Sequence, residues 1–262
     1  MTGAGAVVAL VLLEWTTGWM GAAAWSQSWA VVRRGHFRVL AWGAVALATL
    51  GVATAGAATS GDDSGAVVSV GVLLVALCVA YLVVQRLRTD RPGTIVGAGA
   101  SAAGLATLIA GAALIDNWGL VAATLQLTAG AALLGAVTNG MLLGHWYLNQ
   151  PGLKPWALGR LTTLSLGALA TALGLGLAFA GPLSGASTEG AAFGLEGFGE
   201  SFGVAFYGVW LALMVVTGAV VWMARRCVRI RSIQSATGLY YVALLTAGVA
   251  EFLIRYLMVN AS

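Results

Sequence analysis

The sequence predicts an all-α membrane protein with eight transmembrane helices, and its composition is the first reason. Of the 262 residues, 60% are hydrophobic and only 8% are charged, whereas a soluble domain carries about 25% charged residues. The mean hydropathy is +0.91. No globular fold of this size hides so much apolar surface from water. The composition also excludes a disordered chain, a secreted disulfide scaffold and a nucleic-acid-binding module.

The second reason is a series of long apolar runs, each close to the roughly 20 residues that cross a hydrocarbon core about 30 Å thick. Barrel strands would instead alternate over about ten residues. The first run has no positively charged leader, so we interpret it as a retained helix and not as a cleaved signal peptide. The predicted helices cover residues 6–31, 38–59, 65–85, 94–115, 119–147, 158–181, 204–224 and 237–258.

Polar segments separate these runs and fix where each helix stops. In chain order they are RRGHFR, GDD, QRLRTDRP, DNW, NQPGLKP, GPLSG and ARRCVRIR. Prolines mark several of the boundaries, because proline does not continue a helix. The last run then extends almost to the carboxyl terminus.

The third reason is the distribution of charge between the two ends of the predicted bundle. Twelve of the 13 Lys and Arg residues lie in or beside the loops after helices one, three, five and seven, which form the basic end. The loops of the opposite, acidic end carry no Lys or Arg. Because basic loops stay in the cytoplasm, we predict a multi-pass protein of the cell (inner) membrane with both termini outside. The twelve are Arg33, Arg34, Arg38, Arg86, Arg88, Arg91, Lys154, Arg160, Arg225, Arg226, Arg229 and Arg231.

The longest loop, GPLSGASTEGAAFGLEGFGESFG at 181–203, lies at the acidic end. It is rich in glycine and contains spaced apolar residues, which are Phe193, Leu195, Phe198 and Phe202. Two interpretations stay open. The loop is a flexible connector, or it is a docking surface for a partner subunit, because exposed aromatic residues often mark an interface.

Helices one and five share a pattern that hints at an internal repeat. Residues of helix one recur in helix five at one constant offset, Thr17, Met20 and Trp25 matching Thr138, Met141 and Trp146. A parallel repeat would divide the single membrane domain into four-helix units at 1–116 and 117–262. Chance is the alternative explanation, since the chain is rich in Ala, Gly and Leu.

Three ionisable residues lie inside the predicted helices, where a charge costs about 2.5–3.5 kcal/mol. Glu14 lies in the outer half of helix one, and Glu251 and Arg255 share one face of the outer half of helix eight. We predict that Arg255 lies between the two carboxylates. One interpretation is a structural ion cluster. The other is a quinone or proton site, because two carboxylates share a single arginine.

A second polar group lies at the basic end of helix five, within GHWYLNQPGLKPW at 144–156. His145, Tyr147 and Asn149 bring an imidazole, a phenol and an amide to the membrane interface. They suit a quinone carbonyl or a lipid headgroup. The simpler interpretation is an interfacial histidine that bonds a nearby carbonyl, beside the belt residues Trp146 and Trp156.

The sequence offers few ligands for a cofactor. Haem is not expected, because only His36 and His145 are available and His36 lies in the basic loop RRGHFR. Cys78 and Cys227 fall within or beside apolar runs, which favours small hydrophobic residues over ligands. Zinc and iron–sulfur sites lack ligands. We predict no metal, no catalytic residue and no covalent cofactor, and a quinone (menaquinone or ubiquinone) as the molecule that the polar sites suit.

The pattern Glu251–Arg255–Tyr256 in the last helix resembles the glutamate–arginine motif of polysulfide reductase and dimethyl sulfoxide reductase type membrane anchors. Eight helices with both termini outside resemble the same family. The resemblance implies a haem-free, non-catalytic subunit of a respiratory or electron-transfer complex. Such a subunit anchors redox partners and exchanges electrons with a quinol through an iron–sulfur protein. The segment GHWYLNQPG has no counterpart in that family.

Two other functions stay open. A small-solute or ion transporter uses the same number of helices, but transporters place polar residues near the midplane. Here the predicted polar groups gather towards the two faces of the membrane. The remaining alternative is a structural scaffold without a site.

Overall fold

The computed structural model describes residues 3–59, 64–87, 89–116, 118–186 and 198–260. It is 86% helical, and no strand occurs in these ranges. Eight of its helices are long and apolar enough to cross a membrane, which confirms the predicted fold class. Helices form because hydrocarbon offers no partner to the backbone, so every N–H and C=O must be satisfied within the segment.

The helices in these ranges are α1 Gly3–Gln27, α2 Arg34–Ala58, α3 Ser64–Val84, α4 Arg91–Ala112, α5 Leu120–Trp146, α6 Trp156–Ala178, α7 Ala180–Ser184, α8 Phe198–Arg229 and α9 Ile233–Asn260. They extend beyond the apolar runs at several ends, most clearly in α8, for which the sequence predicted 204–224. Hydropathy marks only the part inside hydrocarbon, whereas arginine is a good helix former and continues the helix into the polar layer. Between α6 and α8 lies a helix of five residues, α7, too short to span.

The eight long helices pack as two rings of four. In the first ring α1 packs on α2 and α4, and α3 closes the ring by packing on the same two helices. In the second ring α5 packs on α6 and α9, and α8 closes it in the same way. The rings meet mainly through α1 and α5. The division into repeat units at 1–116 and 117–262 stays a prediction.

Small residues allow the close approach of α1 and α5. A Cβ added at Gly18 would overlap the carbonyl group of Ala131, and one added at Gly135 would overlap the backbone of Gly18. Helices in membranes associate through such small residues, because dispersion contacts replace the hydrophobic effect there. The central position of α1 follows, and it is the most buried of the eight spans.

The predicted docking loop lies largely outside the described residues, and Phe193 and Leu195 fall there, as does the side chain of Phe198. Phe202 is described, and its proposed exposure is wrong. It is fully buried in α8, with its ring centroid 4.3 Å from that of Phe206 and 5.5 Å from that of Tyr256. An aromatic side chain that finds a core in its own chain is not available to a partner.

Candidate functional site

The three predicted charged residues meet in the interior of the bundle. Nε of Arg255 in α9 lies 2.6 Å from Oε1 of Glu14 in α1. Nη2 of Arg255 lies 2.8 Å from Oε2 of Glu251, one turn earlier in α9. All three side chains are at most 2% exposed. The predicted arrangement, an arginine between two carboxylates, is confirmed, and we call these residues the charged cluster.

The two carboxylates are held differently. Glu251 accepts a hydrogen bond from Nη2 of Arg255, which also donates to the backbone carbonyl of Gln126 at 2.8 Å. Glu14 meets Arg255 through the 2.6 Å ion-pair contact between its Oε1 and Nε alone. Oε2 of Glu14 has no hydrogen-bond partner in the described part of the chain. Glu14 is therefore the less completely satisfied carboxylate.

Gly130 of α5 provides the space for the charged cluster. A Cβ added there would overlap Oε2 of Glu251 and Nη2 of Arg255. Sequence reasoning missed this residue. The sequence feature that pointed to it was Gln126, a polar residue one turn earlier on the same face of α5. Only the packing of α5 against α9 shows that this face meets the charged cluster.

Glu14 lies in the half of α1 at the acidic end, as predicted, but closer to the middle of the helix than the predicted span implied. It is eleven residues from Gly3, the first residue of α1, and thirteen from Gln27, the last. At about 1.5 Å per residue, that places it about 16 Å along the helix, near its middle. The predicted span of 6–31 was shifted towards the basic end, which made Glu14 seem closer to the surface.

Further polar groups lie inside the bundle, where the two rings meet. Nε1 of Trp15 donates to Oγ1 of Thr138 at 2.7 Å. Nδ2 of Asn139 donates to the carbonyl groups of Trp19 at 3.2 Å and Gly135 at 2.9 Å. Oδ1 of Asn139 is buried without a hydrogen-bond partner among the described residues. These groups add buried polar contacts inside the bundle to those predicted towards the two faces.

A cavity of about 430 Å³ opens beside this contact. It lies between α1, α4, α5 and α6, and its lining is mostly small and apolar. Its polar groups include Thr17, Ser101 and Thr128. Thr17 is three residues from Glu14, and Thr128 lies between Gln126 and Gly130 on α5. On α1 the cavity is therefore about one turn from Glu14, whereas on α5 Thr128 faces away from Gln126 and Gly130, since residues two apart do not share a helix face.

The predicted polar site at the basic end does not assemble. His145 and Asn149 are exposed, and no contact joins the side chains of His145, Tyr147 and Asn149 in the described structure. The hydroxyl of Tyr147 donates to the backbone carbonyl of Lys154 at 2.8 Å and accepts from the N–H of Leu158 at 3.4 Å. Burial raises the pKa of Tyr147 to about 12. Tyr147 thus stabilises the loop between α5 and α6 by joining the end of α5 to the start of α6.

Gln150 is the residue of this segment that joins two loops, and sequence reasoning missed it. Its Nε2 donates to the carbonyl of Val31 at 2.8 Å, and its Oε1 accepts from the N–H of Arg33 at 2.9 Å. The same oxygen accepts from Nε1 of Trp146 at 3.1 Å. Gln150 therefore ties the loop after α5 to the loop after α1.

His36 is not a loop residue. It lies in the first turn of α2 and is 2% exposed. Its ring centroid is 5.1 Å from that of Phe37 and 5.8 Å from that of Trp146. The basic residues around it suggested solvent, but α2 begins at Arg34, four residues before the predicted start. The absence of haem stays a prediction.

A second buried polar cluster lies at the basic end of the first ring. Oε1 of Gln27 accepts from the hydroxyl of Tyr81 at 2.9 Å and from Nε2 of Gln85 at 3.2 Å. Nε2 of Gln27 donates to Oε1 of Gln85 at 2.9 Å. A Cβ added at Gly93 of α4 would overlap the Gln27 amide. We call Gln27, Tyr81 and Gln85 the amide cluster; it was not predicted, because only packing brings α1 and α3 together there.

These features define an all-helical, multi-pass membrane protein with a buried charged cluster between its two rings. Comparisons with protein-family models, with curated proteins and with solved structures find no match to this chain. The resemblance to polysulfide reductase type membrane anchors therefore stays a prediction.

Proposed function

We propose that this chain is the membrane subunit of a respiratory or electron-transfer complex and that the charged cluster exchanges a proton with a quinone or quinol. The observation that carries the proposal is that Glu14 and Glu251 share one guanidinium, that of Arg255, inside the bundle. The chain itself supplies the membrane scaffold and the proton site. The redox centres belong to partner subunits.

The charge balance of the cluster argues for a proton. Two ionised carboxylates and one guanidinium leave one net negative charge, which is costly in a medium of low dielectric constant. One bound proton removes that charge. Glu14 is the better carrier, because its Oε2 has no hydrogen bond among the described residues to hold the ionised form. A buried carboxylate that gains and loses a proton suits general acid–base chemistry.

The cavity beside α1 fits the ring of a quinone. Its volume of about 430 Å³ lies within the usual range for ligand pockets, and its walls are mostly apolar. Thr128 lines it and makes no hydrogen bond within the described residues, so its hydroxyl is available to a carbonyl oxygen. A quinol bound there would supply electrons to a partner and protons to nearby acceptors. Glu14 does not line the cavity but lies one turn from Thr17, which does, so the proposal is that Glu14 accepts a proton on the Thr17 side of the cavity.

The test combines purification with turnover. The chain, carrying a carboxyl-terminal tag, is purified from its native membrane in mild detergent, and quinol-dependent reduction of a soluble electron acceptor is measured. Redox subunits that co-purify, with turnover that falls when Thr128 is replaced by valine, are the expected result. A chain that purifies alone and shows no quinol-linked activity contradicts the proposal.

Orientation belongs to the same proposal. With the basic end in the cytoplasm, both termini face outward, and partner subunits dock on the acidic end, including the loop 181–203. A reporter that is active only in the cytoplasm, fused after Ser262, is therefore expected to be inactive. The same reporter inserted after Gly152, in a basic-end loop, serves as the positive control. An active carboxyl-terminal fusion contradicts this orientation.

A transporter is the second candidate, and the α1–α5 contact is the observation that favours it. Trp15, Thr138 and Asn139 place polar groups where the two rings meet, and Trp15 is twelve residues from either end of α1, the depth at which transporters bind substrates. The purified chain reconstituted alone in vesicles distinguishes the two functions. Proton flux that needs no quinol and disappears in Asn139→Leu would support the transporter and exclude the redox subunit.

A further inference from the structure

A groove of about 880 Å³ runs along α6, with α8 on one side and α1 and α5 behind it. Its apolar wall consists mostly of small residues of α6, and its polar end carries three arginines. We call it the α6–α8 groove. The residues that matter here are Arg160, Arg225 and Arg229 at the polar end and Leu164, Gly167 and Thr171 along the wall.

The positive charge of the groove has no counter-charge in the described structure. No Asp or Glu lines it, and none of the three arginines forms an ion pair there. Arg34 offers a contrast, since it pairs with Asp90 at 3.2 Å. Three guanidinium groups around one opening repel one another unless an anion lies between them.

Aromatic rings, and not a carboxylate, position one of these arginines. Cζ of Arg160 lies 4.6 Å from the ring centroid of Trp156 and 5.5 Å from that of Trp29. Stacking on a ring face leaves the N–H groups at the edge of the guanidinium able to donate. Tryptophan also marks the depth of lipid headgroups, so Arg160 lies at the level of the interface.

The length of the groove matches a lipid chain. Arg160 and Thr171 are eleven residues apart on α6, which is about 16 Å along the helix. Half of a hydrocarbon core about 30 Å thick is nearly the same distance. The wall therefore reaches from the interface to the middle of the bilayer, as an acyl chain does.

The glycines of the wall keep the groove open. A Cβ added at Gly167 would meet nothing within 4 Å, and one added at Gly159 would meet only Val228, at 3.8 Å. No neighbouring helix needs these positions to be small, in contrast to Gly18 and Gly135. Their small size leaves room for a molecule from outside the chain.

We infer that the α6–α8 groove binds an anionic phospholipid, with its phosphate among Arg160, Arg225 and Arg229 and an acyl chain along α6. Basic pockets between transmembrane helices recognise anionic headgroups through charge-assisted hydrogen bonds, while the chain fills the apolar part. A zwitterionic lipid brings a cation into the same arginines and binds less well. The inference is independent of any redox function.

The experiment titrates the delipidated protein in detergent with dioleoylphosphatidylglycerol, with dioleoylphosphatidylcholine and with inorganic phosphate, and follows the thermal midpoint. Only phosphatidylglycerol is expected to raise it at low micromolar concentration. Each arginine replaced by glutamine is expected to weaken the apparent affinity about fivefold. Arg226→Gln is the matched control, because Arg226 lies in the same turn of α8, outside the groove, with its Cζ 5.0 Å from the Trp222 ring centroid.

A second variant separates the groove from its charge. Gly167→Leu fills the wall and leaves all three arginines, and it is expected to abolish the phosphatidylglycerol response. Gly208→Leu is its control, since a Cβ there also meets nothing within 4 Å and lies outside the groove. An equal response to both lipids, an equal response to phosphate, or a full response in Gly167→Leu would each overturn the inference.

Discussion

Two buried polar clusters, the amide cluster and the charged cluster, join helices of the bundle. They differ in whether every buried polar atom has a hydrogen-bond partner. In the amide cluster, the Gln27 amide exchanges hydrogen bonds with Gln85 and accepts one from Tyr81, without any charge. In the charged cluster, Arg255 faces two carboxylates, and one oxygen of Glu14 has no hydrogen bond among the described residues. A complete neutral network needs nothing further. The charged cluster has a carboxylate oxygen that is able to bind a proton. This difference distinguishes a purely structural cluster from a candidate functional site.

The largest effect is expected from breaking the charged cluster. Arg255→Leu leaves two buried carboxylates without a cation and is expected to cost about 3–5 kcal/mol of folding free energy. Gln27→Leu leaves the amide of Gln85 and the hydroxyl of Tyr81 unpaired and is expected to cost about 1–3 kcal/mol. Thermal midpoints and the yield of monodisperse protein in detergent measure both. Equal losses in the two variants would show that charge adds nothing to the cost of breaking a cluster.

The next effect concerns the glycine beside each cluster. Gly130→Ala places a methyl group on Glu251 and Arg255, which cannot move apart without losing their ion pair. We expect a loss of about 1–3 kcal/mol, as for other overpacked sites. Gly93→Ala meets only the end of the Gln27 side chain, which has more freedom to turn, so a smaller loss is expected. A larger fall in thermal midpoint for Gly93→Ala would contradict this ranking.

A smaller effect is expected where a single neutral bond closes a loop. Tyr147→Phe removes the hydrogen bond to the Lys154 carbonyl, which contributes about 0.5–1.5 kcal/mol. Because burial raises the pKa of Tyr147 to about 12, its contribution is complete below pH 10 and is lost as the pH rises through 12. The difference in thermal midpoint between wild type and Tyr147→Phe should therefore shrink over that interval. A constant difference would contradict the burial of this hydroxyl.

The fold was predictable from the sequence, because each transmembrane helix satisfies its own backbone and depends little on its neighbours. The charged cluster was predictable for a related reason. A charge inside hydrocarbon needs a partner, and the intramembrane candidates Glu14, Glu251 and Arg255 were few enough to assign. The depth of Glu14 was less certain, since hydropathy does not fix where α1 begins.

The neutral contacts were not predictable, because they depend on which helices are neighbours. Gln27 and Gln85 are 58 residues apart in the sequence, and nothing in the sequence distinguishes either from other polar residues at helix ends. Gly93 and Gly130 do not differ in sequence from the many other glycines of the chain. His145 and Asn149 illustrate the opposite error, since polar residues close in sequence were expected to form one site, whereas both are exposed and Asn149 lies beyond Trp146, the last residue of α5.

The smallest effect on stability, and the sharpest test of the comparison, is expected from Glu14→Gln. The amide keeps the size of a protonated carboxyl, and Arg255 keeps Glu251, so the folding free energy should change by less than about 1 kcal/mol. Quinol-linked turnover of the assembled complex should fall about tenfold or more, as for loss of a general acid or base. Glu14→Asp, which keeps a carboxyl group, should retain part of the activity.

Gln85→Leu is the control in the amide cluster and should show the reverse pattern, with lower stability and with turnover per folded complex unchanged. Normal turnover in an assembled complex with Glu14→Gln would contradict a role for Glu14 in proton transfer. The charged cluster would then have only a structural role, like the amide cluster.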